Sequence, residues 1–269
     1  MDVYAPQKWL PHERPTLPGS PSSPTHPTPR RVAFFIIGFI VAITGGLGNA
    51  LVLVNLPYLQ GSLGVFSSEI QWLPAAYVMA NVSMNLLLVK FRQQYGLRLF
   101  TELFLVIYAV ATVAHLFVHG LASAIAVRAA HGMSGGALTT LGLYYVLQAF
   151  PAKHRVKGVV IGIGFSQLAT PMARMFSSDL MEFGEWRGLY FFELGLALVS
   201  LACVMILKLP PGDLIKTFEK MDFLTFALFA QGAQLGLRRA VFLVPALRVA
   251  SLRRGRLGQA GQRDRKSVV

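Results

Sequence analysis

Six stretches of the chain are apolar for long enough to cross a bilayer, and polar segments separate them. They run over about 32–56, 70–89, 97–118, 121–150, 158–176 and 186–207. No Asp, Glu, Lys or Arg occurs between Arg31 and Glu69, between Glu102 and Arg128, or between Arg128 and Lys153. A helix needs roughly 20 apolar residues to cross about 30 Å of hydrocarbon, so these gaps suffice. The fourth stretch exceeds one crossing unless it tilts or extends beyond the membrane. A seventh apolar run starts at Phe223 and meets Arg238-Arg239. The pattern predicts an all-α membrane protein, a six-helix bundle with a partial seventh helix.

Loop charges orient the bundle. Lys8, Arg14, Arg30, Arg31, Lys90, Arg92, Arg98, Lys153, Arg155, Lys157, Lys208, Lys216 and Lys220 fall on one side. The other side holds Gly61–Glu69, His119–Gly120 and the acidic loop Ser177–Glu185, with only Arg174 and Arg187 against the trend. Basic loops stay in the cytoplasm. The chain is therefore expected in the cytoplasmic (inner or plasma) membrane with its N-terminus inside.

Composition agrees. Of 269 residues, 54% are hydrophobic and 14% charged, against about 25% charged in soluble domains. The net charge of +13 is no nucleic-acid signal, because nine of the 25 basic residues crowd into 238–266. The single cysteine, Cys203, excludes a disulfide within the chain and reads as a packing residue. Eight of the 15 prolines lie in the first 31 residues, which reads as a disordered tail, with a docking peptide as the alternative. Clusters at Gly45, Gly46 and Gly48, at Gly132, Gly135 and Gly136, and at Gly158, Gly162 and Gly164 favour close helix packing. Pro171 should kink the fifth span. Trp72, Tyr77 and Trp186 read as an interfacial belt or as substrate-stacking rings. No phosphate loop, metal spacing or nucleophilic triad occurs, so neither an enzyme nor a cofactor is expected.

The motifs then resemble a family. Leu56-Pro57 with Leu59 and Gly61-Ser62-Leu63-Gly64, Gln71-Trp72, Ala76-Tyr77, Tyr95-Gly96 with Arg98, Arg128 with Gly132 and Gly135-Gly136-Ala137, Phe150-Pro151 with Arg155 and Gly158, and Trp186-Arg187 follow one another in order. Over about 32–225 the set is similar to the N-terminal half of major facilitator transporters, nearest the fourteen-helix drug:proton antiporters (EmrB/QacA type). The resemblance implies binding of a small organic or drug-like substrate between two six-helix halves, and efflux by alternating access, with protons as coupling ion. It also implies a second half, or self-association, to complete the cavity. Departures are Val89, Gln93 and Gln94 in the signature loop, which loses its aspartate and arginine. Gly48 stands nearest the first-helix acid. Ser166-Gln167 and Thr170-Pro171 replace the fifth-helix Gly-Pro pairs, with Arg174 following.

Charges at membrane depth are functional candidates. Arg128 lies about 10 Å into the fourth span at 1.5 Å per residue and falls on the family's arginine motif, linked there to proton coupling. Glu193 sits at similar depth in the sixth span. It could pair with Arg128, bind protons, or meet Arg174 or interfacial water. His131 replaces the motif's glutamine and reads as a titrating or a packed residue. Asn49, Asn55, Asn81 and Tyr77 are cavity-lining candidates, with helix-to-helix hydrogen bonding the alternative for the asparagines. Gln93, Gly96 and Arg98 are gating-loop candidates. Glu102 should pair with Arg98 one turn away.

The organisation expected is a proline-rich disordered cytoplasmic tail over 1–31, the bundle over 32–208, a linker and the start of a seventh helix over 209–237, and a basic tail over 238–269. The Arg- and Gly-rich ending predicts truncation near Gln231–Gly236 by a shifted frame; a basic tail at the anionic leaflet is the alternative. Function divides accordingly between a half-transporter and a non-transporting membrane fragment or interaction partner. The partners expected are the lipid bilayer, a small-molecule substrate, protons and a second half.

Overall fold

A computed structural model describes residues 15, 20–22, 24, 26–217 and 222. The chain forms two compact units, Met1–Phe226 and Ala227–Val269. The second lies outside the described residues, and with it the basic tail; the partial seventh helix lies outside them as well.

Every regular element among the described residues is helical. Helix α1 spans Thr28–Val54, α2 Leu56–Leu63, α3 Ser67–Ile70, α4 Trp72–Tyr95, α5 Leu97–His115, α6 Leu121–Ala149, α7 Arg155–Gln167 and α8 Ala169–Ile206. Boundaries follow local chemistry. Pro27 caps α1 in extended geometry and Pro29 occupies its first turn, where a missing N–H costs nothing. Gly96 takes φ 80° at the α4–α5 joint, which disfavours any side chain. Ser123 Oγ accepts from the main-chain N–H groups of His119 and Gly120 at 3.3 and 3.2 Å, opening α6. The α7–α8 break falls at Leu168, because the Pro171 ring opposes the carbonyl four residues earlier, at Gln167. The irregularity expected from Pro171 thus appears as a one-residue interruption at Leu168 within the span Arg155–Phe176.

The expected loop Ser177–Glu185 is instead helical in hydrogen-bond pattern. The chain still reverses there. The rings of Phe176 and Phe192 lie 6.1 Å apart, whereas a straight helix would separate sixteen residues by about 24 Å. Spans five and six are therefore a tight hairpin, 155–176 and 186–206.

Four helices are long and apolar enough to span a membrane, and the bent pair Ser67–Asn85 and Leu87–Tyr95, turned by 48°, makes a fifth. The fourth predicted span, α6, falls below that hydropathy because of its Gly, Ser, Arg and His residues. It packs against α1, α4, α5 and α7, so protein rather than lipid surrounds it. Conversely, α5 exposes Leu99, Leu103, Val106 and Val110 and buries Phe100, Phe104, Leu105 and Tyr108. Such an apolar outer stripe belongs against hydrocarbon. The chain is an integral membrane protein.

Glycines set the spacing at the centre. A Cβ on Gly142 would meet that of Ala42 at 2.8 Å, and one on Gly38 would meet Val146 Cγ2 at 2.6 Å. The expected clusters are mixed in role: Gly45 faces α6, while Gly164 faces open space.

The basic residues gather at one end. Arg31 Nε donates to the Ala149 carbonyl at 2.8 Å, Arg92 donates to the Tyr144 hydroxyl, and Lys90 pairs with Asp222. The described residues at the end of the proline-rich segment pack against this end. Ser20 and Ser22 are buried, Ser22 N–H donates to the Pro211 carbonyl at 3.0 Å, and Gln148 Nε2 donates to the Ser22 carbonyl at 3.0 Å. Residues 28–31 already belong to α1.

Candidate functional site

The middle of the bundle holds a connected polar cluster. Arg128 on α6 is fully buried, and its NH1 donates to the Gly48 carbonyl at 2.9 Å and its NH2 to Asn49 Oδ1 at 3.1 Å. The guanidinium also lies 4.5 Å from the centre of the Tyr77 ring. Leaving a guanidinium bare in hydrocarbon costs several kcal/mol, and these acceptors with the ring face offset it. The room comes from α6 itself. Gly132 backs onto the Tyr77 main chain, Gly135 onto its ring and Gly136 onto Asn81.

His131 joins Arg128 to Glu193. Arg128 NH1 approaches His131 Nδ1 at 3.4 Å, and His131 Nε2 lies 3.0 Å from Glu193 Oε1. Arginine only donates, so Nδ1 accepts and Nε2 carries the proton given to Glu193. Of the alternatives open for Glu193, direct pairing with Arg128 gives way to a linkage through His131, whose imidazole lies between them. Glu193 does not meet Arg174, which is exposed. Its carboxylate, 1% exposed, stands against Gly48 and touches the Tyr108 hydroxyl.

Tyr108 also reaches the Thr44 carbonyl at 2.8 Å. One phenolic proton faces two acceptors. With Glu193 protonated, Glu193 donates to Tyr108 and Tyr108 to Thr44. With Glu193 ionised, Tyr108 turns to the carboxylate and the Thr44 carbonyl loses its donor. The Tyr108 hydroxyl thus stands between two acceptors and can satisfy one at a time.

Beside Asn49 and Tyr77, the two side chains that hold Arg128, lies a cavity of about 260 Å³ lined by α1, α4, α6 and the α7–α8 junction, with Asn81 and Ser166 also among its walls. Three of the four cavity candidates meet there. Asn55 does not. It sits at the α1–α2 joint, donating to the Leu51 carbonyl at 2.8 Å. Tyr77 is 3% exposed, so it belongs to the cavity wall and not to an interfacial belt.

The gating-loop candidates are elsewhere, at the basic end. Gly96 forms the joint, and Arg98 Nε pairs with Glu102 at 3.6 Å as the spacing predicted. The Gln93 carbonyl accepts from Ile215 N–H at 2.9 Å, and Gln94 Oε1 from Thr217 N–H at 3.2 Å. The segment after α8 thus lies along the signature loop, a contact no motif announces. Sequence reading also missed Tyr108, Thr44 and His115. Their signal, polar residues inside apolar runs, was present but shared with ordinary packing.

The comparisons agree on the family. Residues 36–254 match the Major Facilitator Superfamily, running past Arg238-Arg239 and beyond the 32–225 over which motifs are read. The chain is 22% identical over 238 residues to efflux pump mlcE of Penicillium citrinum, covering 82% of this chain and 42% of that protein. It is 24% identical over 191 residues to efflux pump FUS6 of Gibberella moniliformis, covering 68% of this chain and 33% of that protein. The chain therefore spans less than half the length of these curated relatives. With an arginine-centred helical bundle and a match over most of its length, the chain belongs to the major facilitator superfamily.

Proposed function

We propose that the chain is the N-terminal half of an exporter of small organic compounds, of the drug:proton antiporter branch, working by alternating access with protons as coupling ion. It operates with a second six-helix half or a second copy, and it sits in the cytoplasmic membrane with its basic end inside. One observation carries this reading: Arg128 is held by Asn49 and Tyr77, both in the cavity wall, and is linked through His131 to the buried Glu193 carboxylate. A proton arriving at Glu193 rearranges Tyr108 and His131, and through His131 it alters the hold on Arg128 and so on the cavity wall. The signature-loop residues Gln93, Gly96 and Arg98 act at the basic end, where the segment after α8 latches them.

The test is dye efflux from vesicles holding the protein, driven by an imposed pH gradient. Glu193→Gln is expected to lower gradient-driven efflux at least tenfold while dye binding persists. Unchanged coupling would remove Glu193 from the mechanism. A second reading is a non-transporting membrane partner. No efflux by the native chain under any gradient would select it.

A further inference from the structure

The strongest feature left over lies against Arg128 itself, among residues that do not line the substrate cavity. A second pocket, of about 10 Å³, is bounded by Leu59, Leu73, His115, Ala124, Trp186 and Tyr190, with Arg128 at its inner wall. Two of its side chains carry a buried nitrogen without a hydrogen-bond partner among the described residues: His115 Nε2 and Arg128 Nε. His115 is 2% exposed and Arg128 fully buried.

The tautomer of His115 follows from its other nitrogen. Nδ1 lies 2.8 Å from the Ala111 carbonyl, which only accepts, so Nδ1 holds the proton. Nε2 is then a bare acceptor. Arg128 Nε–H is a donor. The two needs are complementary, and the pocket has about the room one water requires, on the order of 10–15 Å³. Stacking on Tyr190, with ring centres 4.3 Å apart and planes 16° from parallel, fixes the His115 ring. An unpaired buried donor and acceptor would together cost about 2–6 kcal/mol.

We infer that one water molecule binds in this pocket, accepting from Arg128 Nε–H and donating to His115 Nε2. It extends the polar chain Glu193–His131–Arg128 to His115 and so toward the end of the bundle where Trp186 stands. Every nitrogen of the Arg128 guanidinium thereby has an acceptor: NH1 and NH2 have Gly48 and Asn49, and Nε has the pocket water. The charged and titratable groups around His115 are Arg128 and His131 on α6 and Tyr190 on α8. His115 is a positioning residue here, holding the water and not the substrate. The use of the water rests on the export reading; its presence does not.

The experiment needs no substrate. Protein labelled with nitrogen-15 at histidine is placed in lipid vesicles, and solid-state magnetic resonance reads transfer from water protons to each ring nitrogen. The His115 signals are assigned by their loss in His115→Phe. The expected result is a non-protonated His115 Nε2 with strong water transfer, falling at least tenfold in Ala124→Leu, which fills the pocket. Should His115→Phe fail to fold, His115→Gln assigns the signal by the same loss. A protonated Nε2, absent transfer in the native protein, or transfer unchanged in Ala124→Leu would each overturn the water site. The Glu193→Gln efflux result is independent of all three.

Discussion

Single residues in this bundle matter through what they leave vacant as much as through what they carry. Gly48 has no side chain, and the space its Cβ would take is held by the Glu193 carboxylate, the Tyr108 hydroxyl and the edge of His131. The resembled family places an acid on the first helix near this position. Here the carboxylate reaches the same turn of α1 from α8. Transplanting it back is therefore a specific prediction. Gly48→Asp alone should reduce gradient-driven efflux and folded yield, because two carboxylates then share one buried site. Combined with Glu193→Gln it should recover at least a third of native efflux. Efflux lower in the double variant than in either single one would show that the two positions are not equivalent. Arg128, His131 and Glu193 were legible as candidates, because charge in an apolar run is conspicuous. Their order was not. Only the fold places the imidazole between the two charges.

At the scale of elements, α1 and α6 approach closely because small residues face each other along the seam. Gly142 lies against Ala42. Gly142→Leu should force the pair apart and lower thermal stability by roughly 1–3 kcal/mol, the usual cost of overpacking. Gly164→Leu, facing open space, should change it by less than about 0.5 kcal/mol. Thermal unfolding in detergent, followed by light scattering, separates the two.

The docked N-terminal segment gives a second prediction. Burial holds the His26 imidazole below its ordinary pKa of 6.5, and Arg30 and Arg31 lower it further, against a raising hydrogen bond to Gln148. Docking therefore favours neutral His26. Its contribution is complete above pH 6.5 and is lost as pH falls below it. Protease cleavage between residues 20 and 26 should accelerate on going from pH 7.5 to 5.5, and His26→Gln should flatten that dependence. A rate that slows on acidification would contradict the sign. The proline content of this segment announced extended chain. It did not announce docking, because docking depends on Gln148 and Pro211, over a hundred residues away.

For the whole molecule, orientation is the first matter to fix. The basic loops and the docked N-terminal segment share one end, which the positive-inside bias assigns to the cytoplasm. In a Cys203→Ser background, a cysteine at Lys153 should react with a membrane-impermeant maleimide only in inside-out vesicles. A cysteine at Gly61 should react only in right-side-out ones. The reverse pattern would invert the topology.

Sequence by itself determined the class of molecule, the positions of the six apolar segments to within a few residues, and the family. Each follows from local quantities: the length of an apolar run, the placement of Pro and Gly, and short motifs in order. Tertiary structure decided the rest. It set the exclusion of Asn55 from the cavity, the histidine between Arg128 and Glu193, and the pocket that Arg128 shares with His115. These depend on which faces of α1, α4, α5, α6 and α8 meet. A buried polar group is specified by its partners, and here those partners lie between three and 156 residues away along the chain.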